Sequence, residues 1–451
     1  MLSILLGLAV LVFLAYKGYN IIWVAPAAAM IVALLGGLEL FPAYTELYMD
    51  GLVGFAKSWF PVFLFGAVFG KLMEVTGLAS SVARFLSGLI GSRRAILAVV
   101  IACAVLTYGG VSLFVVVFAI YPLALELYRE ADIPRRLIPG AIALGSFTFT
   151  MTALPGSPQL NNLIAARYLG TTAMAAPLLG LAAALIMFGG GYAWLARREK
   201  ILRAAGERYE SADNETAQGA AEPGAAGQRT AKQDTEGHEA GRKEAAVLPH
   251  WLFGVIPLAA VVATLNILQW PAIAAIGAGI ALIAVFNIRR WKTFIPAINE
   301  GAAGSVMAIM NTAAAVGFGS VVKAVPGFAS LTSTLLGMGG SPLVSEAVAI
   351  TTLAGATGSS SGGMTIALEA LASKYLEIAQ AMHISPEAFH RVATVASGGL
   401  DSLPHCGAVI TLLAVCGLTH KDSYADIGIV TCVIPVLAVV VIVVMGSMGI
   451  V

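Results

Sequence analysis

Apolar runs long enough to cross a hydrocarbon layer recur along this chain, and no other feature restricts its fold so strongly. Ile21 to Phe41, Ala173 to Leu195, Trp251 to Leu268 and Ile427 to Met445 each cross the hydrocarbon or nearly do so. A buried helix in a soluble protein can imitate one such run, but not a series of them. With 58% hydrophobic and 11% charged residues over 451 positions, the chain also lacks the polar surface to enclose a water-soluble core of this size. Runs of this length argue for helices, because the strands of a membrane barrel are short and alternate in polarity. The sequence therefore predicts an all-α polytopic membrane protein in the lipid bilayer, with roughly ten to fourteen crossings or half-crossings.

The charges divide the chain. Between about Arg197 and Pro249, acidic and basic residues are set among Ala and Gly, without the apolar groups that repay ordering. This gives an N-terminal membrane repeat at 1–197, a polar cytoplasmic linker at 198–249 and a C-terminal membrane repeat at 250–451. The basic groups Arg197, Arg198, Lys200 and Arg203, and Arg289, Arg290 and Lys292, belong on the cytoplasmic face by the positive-inside rule. Tracing back from them leaves the N-terminus and the stretch Pro42 to Ser58 outside, and a retained first helix at the start in preference to a signal peptide. A net charge of +1 without a basic stripe gives no support for nucleic-acid binding. Cys103, Cys406, Cys416 and Cys432 have no CxxC spacing, so they are read as small buried residues, neither disulfides nor metal ligands.

The halves correspond at a nearly constant offset. Asp50-Gly51 matches Glu300-Gly301, and Thr76-Gly77-Leu78-Ala79-Ser80 resembles Pro326-Gly327-Phe328-Ala329-Ser330, both at an offset of 250. Gly109-Gly110-Val111-Ser112 matches Gly362-Gly363-Met364-Thr365, and Leu154-Pro155-Gly156 aligns with Leu403-Pro404-His405. Under the topology above, the hairpin at 1–42 starts outside and its counterpart at 251–287 starts inside, which makes the repeats inverted. Inverted repeats supply two nearly equivalent conformations, one open to each side, as alternating access requires.

Four clusters of Gly, Pro and hydroxyl residues interrupt the apolar runs: 107–112, 150–162, 355–363 and 397–407. Helices open there, and opened backbone at membrane depth is tolerated only against protein or a wet cavity. A restarted half-helix presents N–H groups to an anion, and a freed carbonyl end presents oxygen to a cation or hydroxyl. Ser157, Asn161, Asn162, Ser359, Ser360 and Ser402 add neutral hydrogen bonds, a mixture suited to a hydroxylated organic carboxylate. Asp401 and His405 are the candidates for ion coupling. A buried acid is costly in its charged form, and histidine titrates near neutral pH, so either can carry a proton. Asp50, Glu300, Glu346 and Glu369 read as interfacial or structural, and Lys71 and Lys323 as side chains snorkelling to headgroups. No HExxH, GxSxG or P-loop appears, so no enzyme and no cofactor is expected, and transport would be secondary.

TALPGSPQLNNLI (152–164), LTYGGVSLFVVVF (106–118), ATGSSSGGMTIALEAL (356–371) and SGGLDSLPHCGAVITLL (397–413) resemble the gluconate permease family, proton symporters that include hydroxybutyrate permeases, within the wider ion-transporter superfamily. The resemblance implies a multi-pass protein of the bacterial inner membrane that imports a small organic anion. It further implies a homodimer with a scaffold and a moving, elevator-type transport domain that carries re-entrant hairpins. Carried onto this chain, it puts substrate around Gly156 to Asn162 and Ser402 to Gly407, including His405, with the breaks at Gly109, Gly110 and Ser112 and at Ser359, Ser360 and Gly362 facing them. The break motifs contain no arginine, which favours a monocarboxylate over a polyvalent anion. The expected function is proton symport of a hydroxy-monocarboxylate, 3-hydroxybutyrate-like or gluconate-like. Sodium coupling and a passive organic-anion channel are the alternatives.

Overall fold

The computed structural model of the chain describes residues 2–17, 19–209, 248–336, 341–404 and 406–451. Among these every regular element is a helix. The first half opens with a hairpin of α1 (Leu2–Tyr16) and α2 (Ile21–Gly36). The Asn20 side chain caps α2 by accepting from the Ile22 N–H at 2.9 Å, and Gly37 ends it in the left-handed conformation. α3 (Leu40–Val75) follows, then α4 (Leu78–Ile90), which meets the segment carrying α5 (Ala95–Tyr108) at 99°. α6 (Leu113–Glu130), α7 (Ile138–Ser146), the single turn α8 (Phe149–Thr152), α9 (Leu160–Leu169) and α10 (Pro177–Ala204) complete the half.

The second half runs through the same order. A hairpin of α11 (Leu252–Asn266) and α12 (Ala272–Phe286) leads to the long α13 (Ile288–Ala324) and the short α14 (Gly327–Leu336). Then come α15 (Pro342–Thr357), α16 (Ser360–Ala381), α17 (Pro386–Ser397), α18 (Gly407–Cys416) and α19 (His420–Ser447). Among the described residues, α3, α10, α13 and α19 are each long and apolar enough to cross a membrane alone. The bent pair of α4 and the segment carrying α5 makes a fifth when counted as one span, and six shorter apolar helices of 10–17 residues accompany them.

Small residues show how the halves meet. A Cβ on Gly51 of α3 would sit 3.2 Å from the Gly317 Cα of α13, and one on Gly301 of α13 would sit 3.0 Å from the Val68 Cα of α3. The contacts are reciprocal, and they run in opposite directions along the two helices: early in α3 against late in α13, and the reverse. The aromatic neighbours repeat the relation. Phe318 of α13 packs at Gly7 in the first hairpin, and Phe69 of α3 packs at Gly279 in the second. Both rings are fully buried. Each long helix therefore supports the hairpin of the other half, and glycine permits the close backbone approach that membrane helices use where water exclusion supplies no drive.

Several expectations change here. The stretch 42–58, expected as a connection, is helical: it forms the first part of α3 and packs along α13. Asp50 and Glu46 lie on the exposed face of this helix. Lys71 does not snorkel: its ammonium bridges Glu74 at 3.1 Å and Glu300 at 2.6 Å, clasping α3 to α13. Helix α10 continues beyond position 197 through the basic group to Ala204. The described end of the polar stretch is strapped to the α6–α7 turn, with Tyr209 N–H on Asp132 at 3.1 Å and Arg208 on the same carboxylate at 3.2 Å. Residues 210–247 of the expected linker lie outside the described residues. The four cysteines are buried and free.

Candidate functional site

The two broken pairs, α5–α6 and α15–α16, place matching caps. α5 stops at Gly110 with φ +97° and α15 stops at Gly358 with φ +61°, conformations that side chains disfavour. Ser112 then starts α6 and Ser359 starts α16; the Ser359 hydroxyl accepts from the Gly362 N–H at 3.1 Å. Gly110 therefore corresponds to Gly358, and Ser112 to Ser359, rather than to Gly362 and Thr365 as the sequence match implied. Gly362 and Gly363 lie in the first turn of α16. A Cβ on Gly363 would come within 2.2 Å of the Ala354 backbone, so that glycine serves close packing of α16 on α15.

Each break meets the Leu-Pro loop of its own half. In the first half the Tyr108 hydroxyl donates to the Pro155 carbonyl at 2.9 Å, and the Gln159 side-chain amide to the Thr107 carbonyl at 2.6 Å. In the second, Gly355 lies against Leu400, and the Ser360 side chain lies beside the Asp401 carboxyl. The Ser402 hydroxyl also donates to Asp401, at 3.1 Å. The loops then touch across the halves: Asn161 of α9 donates to the Ser397 hydroxyl at 2.7 Å, and Gly398 packs on Thr152. A continuous polar seam results, running from 109–112 through 155–162 and 397–402 to 359–360.

The candidate residues hold distinct positions in this seam. Gly156 has φ +78°; its N–H donates to the Ala173 carbonyl at 2.8 Å, and its own carbonyl accepts from Asn266 of α11 at 2.7 Å. Gly109 packs under Leu258 of the same α11. Ser157 is fully buried, and its carbonyl accepts from Asn162 at 3.1 Å. Asp401 is 5% exposed, with no salt bridge among the described residues. His405 lies outside the described residues. Beside the seam, a cavity of about 190 Å³ opens between the α9–α10 loop and the tip of the second hairpin, lined by Thr171, Thr172, Asn266, Gln269 and Trp270 among others. A hollow of about 220 Å³ between Arg135, Arg136, Glu207, Arg208 and Asp422 belongs to the strapped end of the polar stretch, away from the seam.

The strongest charge at the seam comes from Arg391 of α17, which is fully buried. Its Nε donates to the Ala175 carbonyl at 3.2 Å, Nη1 to the Ala153 carbonyl at 3.1 Å and Asn162 Oδ1 at 3.0 Å, and Nη2 to Ala173 at 3.3 Å and Ala175 at 2.6 Å. All five guanidinium hydrogens are thus placed on neutral oxygens, which repays part of the desolvation but leaves the positive charge without a contacting carboxylate. His390 binds the same amide: Nε2 lies 3.1 Å from Asn162 Oδ1, and Nδ1 lies 2.6 Å from the Thr171 hydroxyl. Since the Asn162 amide nitrogen donates to the Leu154 and Ser157 carbonyls, its oxygen accepts, which puts the imidazole proton on Nε2.

Comparison with known proteins bears on this arrangement. The GntP family permease profile matches residues 1–227. The chain is 44% identical over 455 residues to the uncharacterized transporter YxjC of Bacillus subtilis, covering 96% of this chain and 95% of that one. It belongs to the GntP permease family. It is also 30% identical to an uncharacterized transporter of Haemophilus influenzae, over 30% of this chain and 32% of the relative. Among solved structures, the Alcanivorax borkumensis YdaH transporter, described as having an unusual topology, shares its fold at a TM-score of 0.50 with 17% identity, over 89% of this chain and 88% of that one.

Arg391, His390 and Asn266 of this permease escaped the sequence analysis. His390-Arg391 could have been found, because a histidine and an arginine inside the otherwise apolar run 388–400 are costly to bury and call for partners. Asn266 carries no comparable signal: it ends an apolar hairpin helix, and only folding brings it to Gly156.

Proposed function

We propose that this multi-pass GntP permease is a secondary symporter that carries a small hydroxy-monocarboxylate, 3-hydroxybutyrate-like or gluconate-like, together with protons across the bacterial inner membrane. The observation that carries the reading is Arg391, a buried guanidinium saturated by the carbonyls of the first Leu-Pro region and not neutralised by a contacting carboxylate. Its charge favours an anion at the seam, while hydroxyl and backbone groups around Gly156, Ser112, Ser359 and Ser402 suit the hydroxyls of such a substrate. One buried guanidinium, with Glu387 one turn earlier as the carboxylate that acts on it electrostatically, matches one carboxylate better than two or three.

Asp401 is the proposed coupling acid. It sits in the seam between the Ser360 and Ser402 side chains, close enough to the proposed substrate to exchange a proton as the site changes its access to water. The opposed, reciprocal packing of α3 and α13 supports inverted repeats, and the polar seam between half-helices supports a transport domain moving against the long-helix scaffold. A homodimer is proposed by analogy with the wider superfamily.

Purified protein challenged with a panel of carboxylates in a thermal-shift competition tests the substrate class. Stabilisation by short hydroxy-monocarboxylates or aldonates, and not by dicarboxylates or neutral sugars, is expected. Stabilisation confined to dicarboxylates would contradict the reading.

A further inference from the structure

Two acids in the described part of the fold are fully buried, Asp426 and Glu346, and their surroundings differ. Asp426 Oδ1 accepts from Arg198 Nε at 2.8 Å and Trp194 Nε1 at 2.9 Å, a brace between α19 and α10. Glu346, in the first turns of α15, has no hydrogen-bond partner on either carboxyl oxygen and no ion pair among the described residues. A chain that merely needed to fill this space would do so more cheaply with Gln or Leu, since an ionised, unpartnered carboxylate in a dry interior costs several kcal/mol.

The elements packed around α15 supply no compensating charge. On α16, Glu369 is held by Tyr168 and Lys323, Lys374 and Glu377 pair with each other, and the Tyr375 hydroxyl lies 3.3 Å from the Ser345 hydroxyl. Tyr375 is the titratable group in electrostatic contact with the Glu346 carboxyl. On α17, Glu387 accepts from the Ala176 N–H, His390 is occupied by Asn162 and Thr171, and Arg391 spends every donor elsewhere. α1, α14 and the 434–447 part of α19 carry no charged residue. At its other end α15 reaches the seam, where the Thr351 hydroxyl donates to the Ala396 carbonyl at 3.0 Å and Gly355 packs on Leu400 beside Asp401. Glu346 and Gly355 are nine positions apart, about 13 Å along a helix at about 1.5 Å per residue, too far for direct proton exchange with Asp401.

We infer that Glu346 is a second proton-binding site of this permease, distinct from Asp401, loaded as the neutral acid inside the packed bundle and emptied when α15 is exposed to water during the transport cycle. The inference rests on the symport reading for its role in coupling, but not for the protonation itself. The step is balanced: the carboxylate takes H⁺ from hydronium, forming one carboxyl O–H bond and releasing water, and the reverse occurs on the other side.

The test uses the full chain in lipid nanodiscs. Dicyclohexylcarbodiimide adds to protonated carboxyls in apolar surroundings, and the adduct is mapped by mass spectrometry across a pH series. In parallel, infrared difference spectra after a pH jump record the carboxylic C=O stretch. The expected result is an adduct on Glu346 that declines as pH rises, and a pH-dependent C=O band absent from Glu346→Gln, present in Asp401→Asn and shifted in Glu346→Asp. A wild-type spectrum that Glu346→Gln leaves unchanged, in a variant that still elutes and melts like wild type, overturns the proposal. If Glu346→Gln does not fold, the Glu346→Asp spectrum decides: an unshifted band overturns it. If no ion gradient drives uptake while the Glu346 band still titrates, the symport reading fails and the proton site stands.

Discussion

Replacing Arg391 separates its two roles, the clamp on the loop and the source of positive potential. Arg391→Lys keeps the charge but offers three donors in place of five, and from the Lys position the ammonium cannot reach Ala153, Asn162, Ala173 and Ala175 together. Two lost bonds to a charged donor, at about 1.5 kcal/mol each, cost about 3 kcal/mol. Arg391→Met removes all five bonds and the charge, leaving buried carbonyls unpaired. For the substrate the relevant quantity is the field. A carboxylate bound about 8 Å from the guanidinium gains about 2 kcal/mol at an effective dielectric of about 20, which is about thirtyfold in affinity. The assay is paired: thermal unfolding of purified protein in detergent, and substrate Kd by scintillation proximity. Arg391→Lys is expected to melt at clearly lower temperature with Kd within a fewfold of wild type, and Arg391→Met to melt lower still with Kd raised about thirtyfold. Wild-type melting of Arg391→Lys would refute the clamp. Unchanged Kd in a folded Arg391→Met would refute the field.

Three further outcomes are expected. Gly156→Ala forces a side chain into φ +78° and puts its Cβ 2.7 Å from Met174 Sδ; the left-handed conformation alone costs about 1–2 kcal/mol, and uptake should fall while the protein still reaches the membrane. Wild-type uptake would show that the loop has another conformation. Asp401→Asn should abolish gradient-driven accumulation and leave substrate counterflow measurable; pH-driven accumulation at the wild-type level would remove Asp401 from coupling. Asn266→Ala deletes the 2.7 Å bond from the hairpin of α11 to the Gly156 carbonyl, about 1 kcal/mol between groups proposed to move apart. Cross-linking of cysteine pairs placed across that contact should become slower in the variant, and an unchanged rate would count against the contact as a latch.

Much of this architecture was legible because proline, glycine and hydroxyl residues mark where a membrane helix opens. The loops at 153–159 and 398–404 and the caps at Gly110 and Gly358 follow from local backbone chemistry. Tertiary contacts were not legible. Pairing Gly109-Gly110 with Gly362-Gly363 went wrong because glycine serves both left-handed caps and close packing, and a sequence match does not tell them apart. The long helix α3 was cut short because Asp50 and Glu46 lie on its exposed face. Glu346 was read together with Glu300 and Glu369 as interfacial or structural, although Glu300 and Glu369 find cations and Glu346 finds none among the described residues. Arg391 was missed because its partners at 153, 162, 173 and 175 lie more than two hundred positions earlier in the chain.

Uptake into proteoliposomes under separately imposed gradients tests the central claim most directly. With radiolabelled 3-hydroxybutyrate or gluconate outside, an inward proton gradient in sodium-free buffer is expected to drive transient accumulation above equilibrium. A protonophore should abolish that accumulation, and a sodium gradient at equal pH should give none. Accumulation driven only by sodium would contradict proton coupling, and equilibration without accumulation under either gradient would contradict symport.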